Sequence, residues 1–172
     1  MKFNDKLSAI LNELFDKQTQ VNWNTQTKDS WYGTFVIGSK KYKINIIRDR
    51  VGASEFDNFY MPWEVVFCLI KDGKCTTEIT GTGDAGQVFA TVMSGVQEWI
   101  KSERPNEFVM SAAESSRQKL YLRMLQKYLP SGYEVSEADF RGEGFPSQFE
   151  ITRAGQGISA FQHAANDEHD FF

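Results

Sequence analysis

Between residues 63 and 101 the hydrophobic pattern changes its period, and that change limits the folds open to this chain. WEVVFCLI (63–70) is an apolar run with strand chemistry. Asp72-Gly73 follows, a two-residue hairpin signal, and KCTTEIT (74–80) returns antiparallel. From Ala85 to about Lys101 the apolar residues Val88, Val92, Val96, Trp99 and Ile100 recur at helical spacing. Gly81, Gly83 and Gly86 stand at the junction. A strand pair that turns through glycines into an amphipathic helix needs a sheet for that helix to cover.

The flanking sequence extends the pattern. Trp31–Ile37 and Lys41–Ile47 read as two strands joined at Gly38-Ser39, with Val21–Gln26 as a shorter strand before them. Residues 4 to 17 read as an amphipathic helix: Leu7, Ile10, Leu11, Leu14 and Phe15 share a face, and Asn4 suits the N-cap. After the central helix come a short buried strand at 107–112 and a helix from about Glu114 to Tyr128. Leu129-Pro130-Ser131-Gly132 ends that helix, and closing strands follow at Tyr133–Ser136 and Phe149–Arg153. Antiparallel strands followed by a β-α-β-α-β run define an α+β class: a mixed, mostly antiparallel sheet with helices on its faces. At 172 residues one domain is expected over 1–154, with 155–172 as a flexible acidic and aromatic tail.

Composition excludes several functions. The net charge is −4 and no run of Lys and Arg marks a nucleic-acid footprint. No apolar stretch approaches the ~20 residues of a membrane helix. Polar residues Asn4, Asp5 and Lys6 interrupt the start too early for a signal peptide, so a soluble, cytoplasmic protein is expected. His163 and His169 are the only histidines, and no structural zinc spacing or nucleophile-elbow motif is present, so no metal is expected. Arg117 and Arg123 read as solvated helix charges. Pairing Ile70 with Cys75 puts Cys68 opposite Thr77, with the two sulfurs diagonal on one face. The expectation is therefore two buried thiols in a reducing compartment.

The connection DRVGASEFDNFYMP (49–62) is long for a compact domain. Phe56, Phe59 and Tyr60 either pin it to the body or form a docking patch, as Phe171 and Phe172 would at the end of the tail.

The order helix, antiparallel strands, helix, strand, helix, strand, strand resembles the GNAT acetyltransferase superfamily over about residues 4 to 153. In that superfamily a strand leads through a Gly-rich loop into a helix whose N-terminus holds the pyrophosphate of acetyl-CoA. GTGDAG (81–86) stands at the corresponding place. The resemblance implies Gly81, Thr82, Gly83 and Gly86 as cofactor-binding residues. It also implies Tyr121, within SSRQKLYLRML (115–125), as general acid toward the CoA thiolate. Glu78 is the candidate general base, since a carboxylate on a covered sheet face is desolvated and its pKa rises. VFATV (88–92), FVMSA (108–112) and SRQKLY (116–121) are similar to segments of bacteriophage proteins with a GNAT-like body.

Each of these residues has an ordinary reading beside the functional one. Glu78 would be a solvated strand residue if its face is open, and Tyr121 a core aromatic on an apolar stripe. The glycine corner departs from the superfamily pattern at Asp84. Asp84 with Gln87 three residues on resembles a capping box, so the chain's own carboxylate would occupy the helix amides. It would also repel a dianion; two like unit charges ~4 Å apart cost about 1 kcal/mol in water and ~4 at an effective dielectric of 20. The resulting expectation is a phage-encoded, non-catalytic protein that binds a host protein. The alternative is an acetyl-CoA-dependent N-acetyltransferase.

Overall fold

The computed structural model describes residues 13, 17–48, 50–51, 59–60, 62–76, 84–112, 118–138 and 147–155. They form an α+β fold in which ten strands and two helices alternate as the hydrophobic periods require. The strands are β1 (Asn22–Gln26), β2 (Ser30–Ile37), β3 (Lys40–Ile47), β4 (Arg50–Val51), β5 (Phe59–Tyr60), β6 (Trp63–Lys71), β7 (Lys74–Thr76), β8 (Glu107–Ala112), β9 (Tyr133–Ala138) and β10 (Ser147–Arg153). The helices are α1 (Ala85–Glu103), between β7 and β8, and α2 (Gln118–Tyr128), between β8 and β9.

The main sheet runs β1-β2-β3-β6-β8-β10-β9, and β7 pairs with β6 off that path. Every pairing is antiparallel except β6 with β8, whose connection runs through β7 and α1. The hairpin corners follow local chemistry. Gly38 and Ser39 join Ile37 to Lys40, with Gly38 at φ 60°. Asp72 and Gly73 both take positive φ, 51° and 75°, and join Lys71 to Lys74. Two such residues form the tight turn whose twist matches the flanking strands.

One face of the sheet carries the core. Trp31, Phe35 and Ile37 of β2, Tyr42, Ile44 and Ile46 of β3, Trp63, Val65 and Phe67 of β6, Phe108 and Met110 of β8, and Phe149 and Ile151 of β10 are buried in a single cluster. Their alternation is the period-2 signature of a half-covered sheet. Against them α1 lays Val88, Phe89, Val92, Met93, Val96, Trp99 and Ile100, and α2 lays Tyr121, Met124 and Leu125. The two described helices thus share one face, where the sequence led us to expect helices on both. Trp99 is edge-on to Trp63 at 5.3 Å and to Phe108 at 5.2 Å, which fixes α1 over the parallel pair.

Three other expectations need correction or fall outside the described residues. The 49–62 connection contains a small ladder, Arg50 with Tyr60 and Val51 with Phe59, where no strand was expected. Cys68 and Cys75 form a disulfide across the β6–β7 hairpin, with Cα atoms 5.6 Å apart. The register is the expected one, Ile70 opposite Cys75. The diagonal of a twisted hairpin is short enough to bridge, within the usual 4.4–6.8 Å Cα separation. The pair therefore no longer argues for a reducing compartment. The helix expected over 4–17 lies almost wholly outside the described residues, as does the tail beyond Gly155. No described helix is long and apolar enough to cross a membrane.

The chain entering β1 packs between β2 and α1. Val21 and Trp23 lie over Gly33 of β2 and Gly95 of α1. A methyl group at Gly33 would stand 2.5 Å from Val21 Cγ1 and 2.8 Å from Trp23 Cε3. Gly33→Ala should therefore destabilise the fold by about 1–3 kcal/mol through overpacking. Thermal denaturation monitored by circular dichroism checks it, and an unchanged midpoint would show that this contact is not tight.

Candidate functional site

The site expected from sequence sits where β7 passes into α1, at the carboxyl end of β6. Open sheets with a helical crossover commonly bind ligands outside the carboxyl ends of their parallel strands. Glu78, Gly81, Thr82 and Gly83 lie outside the described residues. Asp84, Gly86, Gln87 and Tyr121 are within them, and their geometry changes the reading of the corner.

Asp84 occupies the N-cap position of α1, but its backbone is already helical (φ −81°, ψ −9°) and its side chain makes no cap hydrogen bond. Its carboxylate instead accepts from Lys40 Nζ at 3.1 Å. Lys40 opens β3, immediately after the Gly38-Ser39 turn, so the β2–β3 hairpin carries this cation to the helix start. Gln87 does not complete a capping box either. Its Nε2 donates to the backbone carbonyl of Lys17 at 2.6 Å. Nearby, Thr91 Oγ1 donates to the Gln87 carbonyl at 2.9 Å and accepts from Thr19 N–H at 3.1 Å. The side chains expected to fill the first-turn amides thus serve to hold Lys40 and the 17–19 segment. The Lys40 charge also offsets the repulsion that Asp84 alone would exert on an anion.

A second feature adjoins this corner. On its β8 edge, β6 pairs through Trp63, Glu64 and Val65 with β8, and through Leu69, Ile70 and Lys71 with β7. Between these stretches Val66, Phe67 and Cys68 pair with β3 alone among the described residues. The Cys68–Cys75 bridge ties this stretch of β6 to β7.

Tyr121 belongs to the aromatic column behind it. Phe67 meets Phe89 at 6.3 Å edge-on, and Phe89 stacks face to face with Tyr121 at 4.6 Å. Tyr121 is 5% exposed. The structure thus brings Tyr121 to the level of the first turns of α1, with Phe89 between it and β6. Glu78 was expected on the face carrying Trp63, Val65 and Leu69, which is the face that α1 covers.

Sequence reasoning did not single out Tyr42 and Lys40. Tyr42 is buried, stacks on Phe35 at 5.2 Å, and lies within electrostatic reach of the Lys40–Asp84 pair. Burial pushes its hydroxyl pKa up, Lys40 lowers it and Asp84 raises it. The only signal in the sequence was Tyr42 alternating with lysines in KKYKI.

The expected partner surfaces lie outside what can be described. Phe56, Phe171 and Phe172 are outside the described residues. Phe59 and Tyr60 are placed only as the backbone of β5. Among the described residues, Val36 is the one large apolar side chain exposed to solvent, at 54%. No group of three or more metal-ligating side chains is assembled among the described residues. No protein-family model matches the chain, and no curated protein and no solved structure is significantly similar to it.

The Tyr42 environment sets a pH dependence. A hydroxyl whose folded pKa exceeds its unfolded value, about 10, stabilises the fold fully below that pH. The contribution is lost as pH rises through the folded pKa, because the unfolded chain ionises first. Tyr42→Phe should therefore flatten the loss of stability above pH ~10 while leaving neutral-pH packing nearly intact. Urea titrations from pH 8 to 11 measure this, and an identical alkaline slope in both proteins would disprove it.

Proposed function

We propose that the chain is a GNAT-like protein that binds coenzyme A at the start of α1 and acts as an acetyl-CoA-dependent N-acetyltransferase. The observation that carries this reading is the Asp84 carboxylate, which bonds to Lys40 and not to the helix amides. The start of α1 then combines the positive end of a 19-residue helix with a lysine at the same corner. In this reading Gly81, Thr82, Gly83 and Gly86 let the backbone approach a pyrophosphate closely. The arrangement of a meander of antiparallel strands, one parallel crossover through α1 and a closing hairpin supports the same assignment.

The chemistry would divide between two groups. Glu78 takes the proton of an amine as it attacks the thioester carbonyl. Tyr121 gives a proton to the departing thiolate. Each such transfer contributes typically 10²–10⁴-fold.

A second reading has its own observation. Tyr121 is 5% exposed and stacked on Phe89, a setting suited to a core ring. It favours a non-catalytic, phage-encoded interaction protein with the same body, binding a host protein through Phe56, Phe59, Tyr60, Phe171 and Phe172.

Two measurements separate these readings. At a hundredfold excess over its dissociation constant, CoA should add about 2.7 kcal/mol of stability. For a chain of this size that is roughly 5–10 °C in Tm, and Lys40→Ala should reduce the shift. No shift at millimolar CoA would rule out the enzyme. If CoA binds and the protein acetylates an amine, Tyr121→Phe should lower kcat by about a hundredfold or more without lowering Tm. Unchanged turnover would remove Tyr121 from the chemistry and leave the ring as core.

A further inference from the structure

The opposite end of α1 carries a second concentration of charge that the proposed function does not use. The helix closes at Arg104, whose N–H donates to the Ile100 carbonyl at 2.9 Å from a left-handed backbone (φ 47°). That conformation favours glycine or asparagine and costs other residues roughly 1–2 kcal/mol. An arginine kept there needs a reason beyond ending the helix.

Arg104 borders a cleft of about 710 Å³ between the end of α1, the turn before β9 and the end of β10. Its charged lining residues are Lys101, Arg104 and Arg153, with no acidic residue among them. The cleft is shallow and open to solvent. Two ordinary explanations account for part of this cluster only. A cation in the last turn complements the helix dipole, and Lys101 alone would do that. Arg153 Nη2 donates to the Arg104 carbonyl at 3.0 Å, and its guanidinium lies over the Tyr133 ring at 5.8 Å. Just beyond the helix, Tyr133 Oη donates to the Pro105 carbonyl at 2.7 Å. Among the described residues no carboxylate lies within ion-pair distance of the three cations. Three positive charges thus remain around one concave mouth, in a chain whose net charge is −4.

We propose that this cleft binds a compact phosphate or diphosphate group of a small molecule, held by Lys101, Arg104 and Arg153. The backbone around it is suited to close approach: Gly132 has φ 94° and adjoins Tyr133. The Tyr133 face is covered by Arg153, so no open ring is offered to a nucleobase. Three cations grouped at one mouth match a compact anion, where a nucleic-acid strand requires a basic track along its backbone.

Titration of the ¹⁵N-labelled protein with inorganic pyrophosphate at fixed ionic strength tests this. Saturable amide shifts are expected at Lys101, Arg104, Gly132, Tyr133 and Arg153. The double variant Lys101→Gln/Arg104→Asn should weaken binding at least tenfold; asparagine tolerates the left-handed backbone, and both side chains are exposed. Lys101→Gln alone provides a second, milder variant and should weaken binding severalfold. Lys40→Ala should leave these shifts unchanged, which separates this cleft from the start of α1. Absence of saturable shifts here, or equal affinity in the variants, would overturn the proposal. So would a single-stranded oligonucleotide that displaces pyrophosphate from these residues at lower concentration.

Discussion

β6 is the strand at which the main sheet changes from antiparallel to parallel pairing. It pairs with β3 from Glu64 to Ile70, and on its other edge it changes partner, from β8 at its start to β7 at its end. Between these stretches Val66, Phe67 and Cys68 pair with β3 alone among the described residues. α1 lies over this part of the strand, where Phe67 meets Phe89 edge-on and Phe89 stacks on Tyr121. The core face of β6 carries Trp63, Val65 and Phe67, so the strand at which the sheet changes partner also anchors α1. Apolar burial, about 1.5–3 kcal/mol for each fully buried large side chain, thus holds the helix in place.

The electrostatics of that helix end turn on one carboxylate. Had Asp84 capped α1, the corner would be complete in itself and unattractive to anions. Bonded to Lys40, it belongs to a neutral pair placed across two elements. The difference arises because the Asp84 backbone is itself helical, so its carboxylate does not turn back over the first-turn amides. The bond to Lys40 joins residues 44 apart in the chain. It also brings a charge pair within reach of the buried Tyr42 hydroxyl, whose raised pKa reports the desolvation there.

The same contrast explains what the sequence could and could not disclose. Features set by a few consecutive residues were legible. Gly38-Ser39 and Asp72-Gly73 impose positive φ where the hairpins need it, and the register they set placed Ile70 opposite Cys75. The alternation of KKYKINII and the helical spacing of Val88, Val92, Val96 and Trp99 marked the buried faces correctly. Features that depend on contacts distant in sequence were not legible. The capping-box pattern at Asp84 and Gln87 was locally sound, but Lys40 and the Lys17 carbonyl took both side chains. The Cys68–Cys75 bridge failed for a subtler reason. Its register was foreseen, but the distance across a diagonal depends on twist, which a flat drawing of the hairpin omits. At the far end of α1, Arg104 carries no local signature, because its left-handed backbone and its place beside Arg153 exist only in the folded chain.

α1 thus has two ends of opposite dipole and a cationic group at each. At its start, where the dipole favours anions, a single lysine is balanced by an aspartate. At its finish, where the dipole favours cations, Lys101, Arg104 and Arg153 gather; the Ile100 carbonyl accepts from the Arg104 N–H, and the Arg104 and Pro105 carbonyls just beyond the helix accept from Arg153 and Tyr133 Oη. Dipole complementarity alone would predict modest charge at both ends. The excess at the finish therefore belongs to the surface and not to the helix. The near-neutral start leaves the field there to the backbone amides. The two proposed sites would therefore hold anions by different means, oriented peptide dipoles at the start of α1 and point charges around the cleft by β10. Screening by salt would weaken the cleft, because Lys101 and Arg104 stand in solvent.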